Sequence, residues 1–299
     1  MNFTPDSKVL IQGITEPLGL THVPLMQSYG THLVAGISPG HGGKEVQGVP
    51  VFDMVEQALN QVGAIDTTII FVLPYLVLDA ALEAIAAGIR QIIIITEGVP
   101  PLDMVHLIRK AEETETLVLG PNCPGLIVPG QLLLGTHPSE FYTPGPVGLI
   151  SRSGTLTYEI ALELTRTGLG QSICVGIGGG TILGSSFAQW LQILDEDDKT
   201  EAIVLVGEIG GDGEEVAARY IAEVIDKPVV AYIAGRTAPK DTPMGHASAI
   251  IASHGTALLE DLPDIGTAET KIAALRRANI PVADKPSQIP ELVKKVLNL

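Results

Sequence analysis

A chain of 299 residues is long enough for one large α/β domain or two ordinary ones. Apolar residues make up 45% and aromatics only 4%, so the core must be aliphatic, which suits parallel strands covered by helices. The formal charge of −16, from 34 acids against 18 bases, repels phosphate backbones and argues against nucleic acid as a partner. Short β-branched runs alternate with longer helical stretches. Val9 to Gln12 reads as a strand, Leu18 to Tyr29 as a helix, and Leu33 to Ile37 as a second strand. Met54 to Val62 is helical, Thr68 to Val72 extended, Val77 to Ala87 helical, Ile92 to Ile95 extended, Leu102 to Glu113 helical and Leu117 to Leu119 extended. Between Gly120 and Pro146 the rhythm breaks, because prolines 121, 124, 129, 138, 144 and 146 and five glycines leave no helical period. The alternation then restarts. Strands are expected at Val147 to Ile150, Ile173 to Val175, Ala202 to Val206, Val229 to Ile233 and Ile280 to Val282. Helices are expected at Leu156 to Thr167, Phe187 to Leu194, Glu214 to Ile225, Lys271 to Ala278 and Ile289 to Leu297. This is the pattern of two α/β domains with doubly wound parallel sheets, over 1–129 and 147–299, with a linker at 130–146.

The two cysteines, Cys123 and Cys174, make neither a CxxC pair nor a disulfide framework, which fits a reducing compartment. The first residues lack a basic and an apolar leader region, and no apolar run reaches the ~18–20 residues of a membrane helix. A cytoplasmic protein with no membrane partner is therefore expected, and no residue group suggests a metal site.

In doubly wound sheets ligands sit beyond the carboxyl ends of the strands, so the loops there carry the chemistry. The first turn is Gly13-Ile14-Thr15-Glu16-Pro17-Leu18-Gly19. Glycine at both ends permits a tight turn and a close helix N-terminus that attracts phosphate, but the spacing is not GxGxxG, and taken alone the turn reads more readily as a βα connection with no ligand. The second strand leaves into Ser38-Pro39-Gly40-His41-Gly42-Gly43-Lys44, with no carboxylate until Glu45. A His and a Lys there suit a phosphorylated ribose better than the free diol of NAD, although Lys44 also reads as an ordinary loop lysine. Thr96-Glu97-Gly98 and the Asn122-Cys123 pair of the 120–125 loop reach the same edge, and Cys123 by itself reads as a small buried filler.

In the second half, Ser153-Gly154-Thr155 opens a helix and offers amides and hydroxyls to an anion, or plain capping. Gly207-Glu208-Ile209-Gly210-Gly211 holds a carboxylate at a strand end. His246 lies in a small-residue loop expected at the same edge; a neutral imidazole is a good nucleophile near pH 7, and Glu208 is the group that could orient it. Histidines 22, 32, 41, 106, 137 and 254 lack this combination.

Four blocks in order, Gly120-Pro121-Asn122-Cys123-Pro124-Gly125, Ser151-Arg152-Ser153-Gly154-Thr155-Leu156-Thr157-Tyr158-Glu159, Gly207-Glu208-Ile209-Gly210-Gly211 and Met244-Gly245-His246-Ala247, resemble the α subunit of succinyl-CoA synthetase over nearly the whole chain. The resemblance implies a Rossmann-like CoA-binding domain followed by a flavodoxin-like ligase domain. It implies that Gly13, Thr15, Glu16, Pro17, Leu18, His41, Lys44, Thr96, Glu97, Gly98, Asn122 and Cys123 line the CoA site. It further implies that His246 is phosphorylated, Glu208 orients it, Ser153, Gly154 and Thr155 bind the phosphate, and Tyr158 faces substrate and partner.

The implied reaction belongs to the tricarboxylic acid cycle: a nucleoside triphosphate phosphorylates His246, the phosphoryl group passes to succinate, and the CoA thiol displaces phosphate from the acyl phosphate. Gly43-Lys44 is not a P-loop, so ATP or GTP with Mg should bind an ATP-grasp β subunit in a heterodimer or heterotetramer. The departures concentrate in the CoA half. Where the family has Thr-Gly-x-x-Gly, this chain has Thr15-Glu16-Pro17-Leu18-Gly19; the family's second-loop lysine is His41; and its Gly-Gly-Asp-Pro reads Gly178-Gly179-Gly180-Thr181. A ligase for citrate or malate, or a CoA-binding regulatory protein derived from the ligase, are the alternative readings; an NAD-dependent dehydrogenase fits least.

Overall fold

The computed structural model describes residues 3–237 and 266–299. The chain divides into two compact units, Met1–Ser139 with Ile182–Ser185, and Glu140–Thr181 with Ser186–Leu299.

In the first unit the elements are β1 (Val9–Gln12), α1 (Pro17–Tyr29), β2 (Leu33–Ile37), β3 (Glu45–Val46), β4 (Val49–Phe52), α2 (Val55–Val62), β5 (Thr67–Ile70), α3 (Val77–Ala86), β6 (Gln91–Ile94), α4 (Pro101–Glu113) and β7 (Leu117–Leu119). The sheet order is β3-β4-β2-β1-β5-β6-β7. All neighbours are parallel except the β3–β4 pair, so the parallel strands follow the dinucleotide-type order and reverse direction of travel at β1. Strands that are buried on both faces need unbroken apolar runs, and Val9, Leu10, Ile11, Ile69, Ile70, Ile92, Ile93 and Ile94 supply them. Buried Gln12 at the end of β1 is satisfied: its amide donates to the Ala80 carbonyl (2.9 Å) and its carbonyl accepts from Thr68 of β5 (3.0 Å).

The stretch expected to be a linker is structured. An antiparallel hairpin of β8 (Gly125–Val128) and β9 (Leu132–Gly135) precedes a 3-10 turn at Ser139–Phe141. Thr31, just past α1, clamps the hairpin by donating to the Leu133 carbonyl (2.7 Å) and accepting the Leu133 amide (3.2 Å). Prolines and glycines hide this pairing because they bend the ends of each short strand instead of interrupting it; Gly125 and Gly135 approach the facing backbone too closely for any side chain.

The second unit contains β10 (Pro144–Ser151), α5 (Gly154–Arg166), β11 (Gln171–Gly176), α6 (Phe187–Glu196), β12 (Ala202–Gly207), α7 (Gly213–Val224), β13 (Val229–Ile233), α8 (Ala268–Arg277), β14 (Val282–Ala283) and α9 (Ile289–Leu297). Its strands run β14-β13-β12-β10-β11, all parallel, the flavodoxin-type order. The strand expected at Ile280 to Val282 lies two residues further on, since Ile280 still closes α8 through a bond from its amide to the Leu275 carbonyl. Direction of travel reverses at β10, which has β11 on one side and β12 on the other. No helix among the described residues is long and apolar enough to cross a membrane.

Candidate functional site

Each unit presents loops at the switch point of its sheet, where two neighbouring strands send their helices to opposite faces and leave a crevice.

In the first unit Gly13 follows β1 with φ 81°, and a Cβ there would stand 2.8 Å from the Val72 amide nitrogen. Gly19 lets α1 lie on the same turn, because a Cβ would meet the Gly13 carbonyl at 2.5 Å. Both glycines are therefore demanded by close packing. Thr15 and Ser38 join the ends of β1 and β2 through their hydroxyls (2.6 Å), and Ser38 Oγ also contacts His41 Nδ1 (3.1 Å). The second loop is held from β4: Asp53 Oδ1 accepts the Gly40 and Gly42 amides at 2.7 and 2.9 Å. This carboxylate lies eight residues past Glu45, and only the unforeseen β3–β4 hairpin folds it back. Lys44 is exposed, with its backbone paired to Val51 across the loop.

Thr96 is buried and donates to the Val72 carbonyl (2.7 Å); its own carbonyl accepts the Asn122 amide (3.0 Å), which joins these two loops. Glu97 and Gly98 are exposed beside them. Cys123 is the buried filler that its local sequence suggests. Its thiol is turned into the core, donates to the Ile94 carbonyl (3.3 Å), and is pushed by burial up to about 12. It is a packed side chain with no free nucleophile at neutral pH.

The groove offers glycine-shaped space, hydroxyls and a helix N-terminus, which fit a phosphorylated ligand such as CoA in shape. Charge works against that fit in the first turn. Glu16 occupies the N-cap of α1 with extended backbone and no side-chain capping bond, and Pro17 at the first helical position removes a donor. Leu18 is 48% exposed beside them. Replacing Glu16 by Gly should tighten CoA binding about three- to tenfold, because a like charge leaves the phosphate end of the helix. Calorimetry of the two proteins with CoA measures this; equal affinities would remove the electrostatic account.

In the second unit β10 ends in Ser151, whose hydroxyl accepts the Ser153 amide (3.1 Å) and donates to the Ser153 carbonyl (2.9 Å). Ser153 caps α5 by accepting the Leu156 amide. Its polar groups are thus turned inward, and the outward face of the expected cradle narrows to Gly154 and Thr155. Thr155 is exposed, and a Cβ at Gly154 would meet open space. The positive end of α5 favours an anion at that spot. Tyr158, half-buried, follows one turn along.

Glu208 follows β12, on the neighbouring strand, and is buried. Arg152, also buried, comes within 3.7 Å of its carboxylate and links the two loops. Arg152 lies in the 151–159 motif with no role implied by the resemblance, and two further charges that no motif marks, Glu214 and Lys271, stand behind Glu208. His246, the expected phosphate carrier, lies outside the described residues.

Two family models match the chain: a CoA binding domain over residues 4–98 and a CoA-ligase over residues 150–283. The Archaeoglobus fulgidus protein named succinate–CoA ligase [ADP-forming] subunit alpha 2 is 48% identical over 291 residues, 97% of each chain. The chain belongs to the succinate–CoA ligase α-subunit family. An Aquifex aeolicus member, named succinate–CoA ligase [ADP-forming] subunit alpha, is 44% identical over 298 residues, covering 98% of this chain and 93% of that protein. Among solved structures, the fold matches ATP citrate lyase from Methanothrix soehngenii in complex with citrate and coenzyme A, with TM-score 0.87 at 23% identity. That match covers all of this chain and 50% of the lyase, so this chain spans half the length of that protein. A dinucleotide-forming acetyl-coenzyme A synthetase from Ca. Korarchaeum cryptofilum matches with TM-score 0.74 at 22% identity, over 97% of this chain and 61% of the synthetase. The CoA binding domain match falls in the first unit, and the CoA-ligase match falls almost wholly in the second.

Proposed function

We propose that this chain is the α subunit of a cytoplasmic, ADP-forming succinate–CoA ligase, working with an ATP-grasp β subunit that binds ATP and Mg. The observation that carries the reading is the meeting of the Ser153 turn and Glu208 on neighbouring strands at the switch point, bridged by Arg152 at 3.7 Å. In this reading His246 accepts the phosphoryl group from the nucleotide. Glu208 holds the imidazole so that one nitrogen faces phosphorus, and the Gly154 and Thr155 amides with the α5 dipole bind the transferred phosphate. The group then passes to a succinate carboxylate, and thioester formation with CoA releases it as inorganic phosphate. The first unit holds CoA through the Gly13–Gly19 turn, His41, Lys44 and the 96–98 and 122 loops. Tyr158 sits on the α5 face that meets substrate. Succinate is preferred over citrate or malate because the relatives at 44–48% identity carry succinate in their names. One observation favours a second reading, a CoA-responsive regulator: the carboxylate of Glu16 at the phosphate end of α1.

The test is reconstitution with a succinate–CoA ligase β subunit, succinyl-CoA and radiolabelled phosphate. Acid-labile label on the wild type and none on His246→Asn is expected, with succinate used in preference to citrate and malate in the forward direction. A folded complex that takes no label would leave the regulator as the surviving reading.

A further inference from the structure

Glu208 belongs to a closed cluster of four buried charges, with Arg152, Glu214 and Lys271. Glu214, at the start of α7, is fully buried and reaches back to β12: its Oε1 accepts the Glu208 amide at 3.0 Å and stands 3.6 Å from Arg152 Nη1, while its Oε2 pairs with Lys271 Nζ. Lys271, on α8, is also fully buried and donates to the Gly210 carbonyl (2.8 Å). The same carbonyl accepts from Arg152 Nη1 (3.0 Å). Gly207 makes room for this contact, since a Cβ there would stand 2.5 Å from Glu214 Cγ. The Gly210 amide is in turn fixed by the Gly266 carbonyl (2.8 Å). Every member therefore acts on the short 207–211 turn that carries Glu208, from three different elements.

Two acids and two bases cancel, so the cluster carries no net charge. Its effect is geometric. Glu214 pins the backbone of Glu208; Arg152 is stretched between the Glu208 and Glu214 carboxylates; Lys271 holds Glu214 and the far side of the turn. Hydrophobic residues of similar volume serve stability about as well as such buried pairs, so stability alone is a weak reason for four charges here.

We infer that Glu214 and Lys271 are positioning residues for phosphoryl transfer, which set the backbone and the Arg152 partner of Glu208 so that its carboxylate meets the phosphate-carrying imidazole in one orientation. The inference rests on the ligase reading and adds to it two residues that never touch substrate. Errors of about 1 Å in a catalytic group are enough to cost around 10²-fold in rate.

The test uses the reconstituted complex and single-turnover labelling of His246. The double variant Glu214→Leu with Lys271→Met removes the pair without stranding a charge, which keeps the fold. Its labelling rate should fall about 10- to 100-fold, with KM for nucleotide and Kd for CoA within about twofold of wild type. The double variant Glu214→Gln with Lys271→Met retains an acceptor for the Glu208 amide and should recover most of that loss. A Leu/Met variant that labels at the wild-type rate overturns the inference while leaving the ligase reading intact; equal losses in the Leu/Met and Gln/Met proteins also overturn it, since a structural role makes no distinction between them. An unlabelled wild type would instead indict the ligase reading.

Discussion

Replacing Glu208 by Gln is expected to lower the rate of His246 phosphorylation about 10²- to 10³-fold while leaving CoA affinity unchanged. The side chain is buried, so solvent cannot replace the missing charge. Glutamine has the same shape, but its amide turns an acceptor into a donor on one side. With Arg152 at 3.7 Å demanding an acceptor, the amide nitrogen must turn toward the imidazole. The ring then loses both the charge that stabilises it when it gains positive character and the acceptor that selects the attacking tautomer. A neutral replacement of an orienting carboxylate beside a catalytic imidazole costs up to about 10⁴-fold in a well-studied hydrolase triad. A smaller cost is set here because, in the ligase reading, the Gly154 and Thr155 amides and the α5 dipole that bind the phosphate are untouched by the substitution. Rapid-quench measurement of acid-labile label, paired with calorimetry for CoA, separates the two effects. A Gln variant within fivefold of wild type would remove Glu208 from the chemistry.

The fold was legible because parallel strands leave a plain trace. Val9 to Gln12, Leu33 to Ile37, Leu117 to Leu119 and Val229 to Ile233 are apolar, β-branched and bounded by turn residues, and each forms the strand expected. Short strands with special pairing left little trace. Val49–Phe52 contains Pro50, and the short β8–β9 strands are joined through Pro129 and Gly130, so both read as loop. Missing the first hid Asp53, which shapes the 38–44 loop. At the site, Ser153, Gly154, Thr155 and Glu208 stood at predictable strand ends, whereas Cys123 turned inward because the Gly120–Cys123 bend aims its thiol at the Ile94 carbonyl. Glu214 and Lys271 were missed although a signal existed. Each lies in a buried helical stripe, Glu214 with Ala217, Ala218 and Ile221, and Lys271 with Ala268, Ile272 and Leu275. A charge in phase with an apolar stripe is a charge that must find a buried partner.

That pairing sets the largest stability effect expected for a single substitution. Lys271→Met leaves the Glu214 carboxylate without its cation in a place where neither residue has measurable exposure. Arg152 remains nearby at 3.6 Å, but it is already shared with Glu208 and the Gly210 carbonyl. Breaking one partner of a buried pair costs about 3–5 kcal/mol, far more than the pair contributes over a hydrophobic replacement. The Leu/Met double variant at 214 and 271 should accordingly lie within about 1–2 kcal/mol of wild type, so that adding a second mutation restores most of what the first removed. The chain has one tryptophan, Trp190, fully buried on α6 of the same unit, and its emission follows the denaturation of that unit directly. Urea titration of the single and double variants gives the comparison. If Lys271→Met alone matches wild type in midpoint and slope, the ammonium and carboxylate do not depend on each other in solution, and Glu214 is held by Arg152 alone.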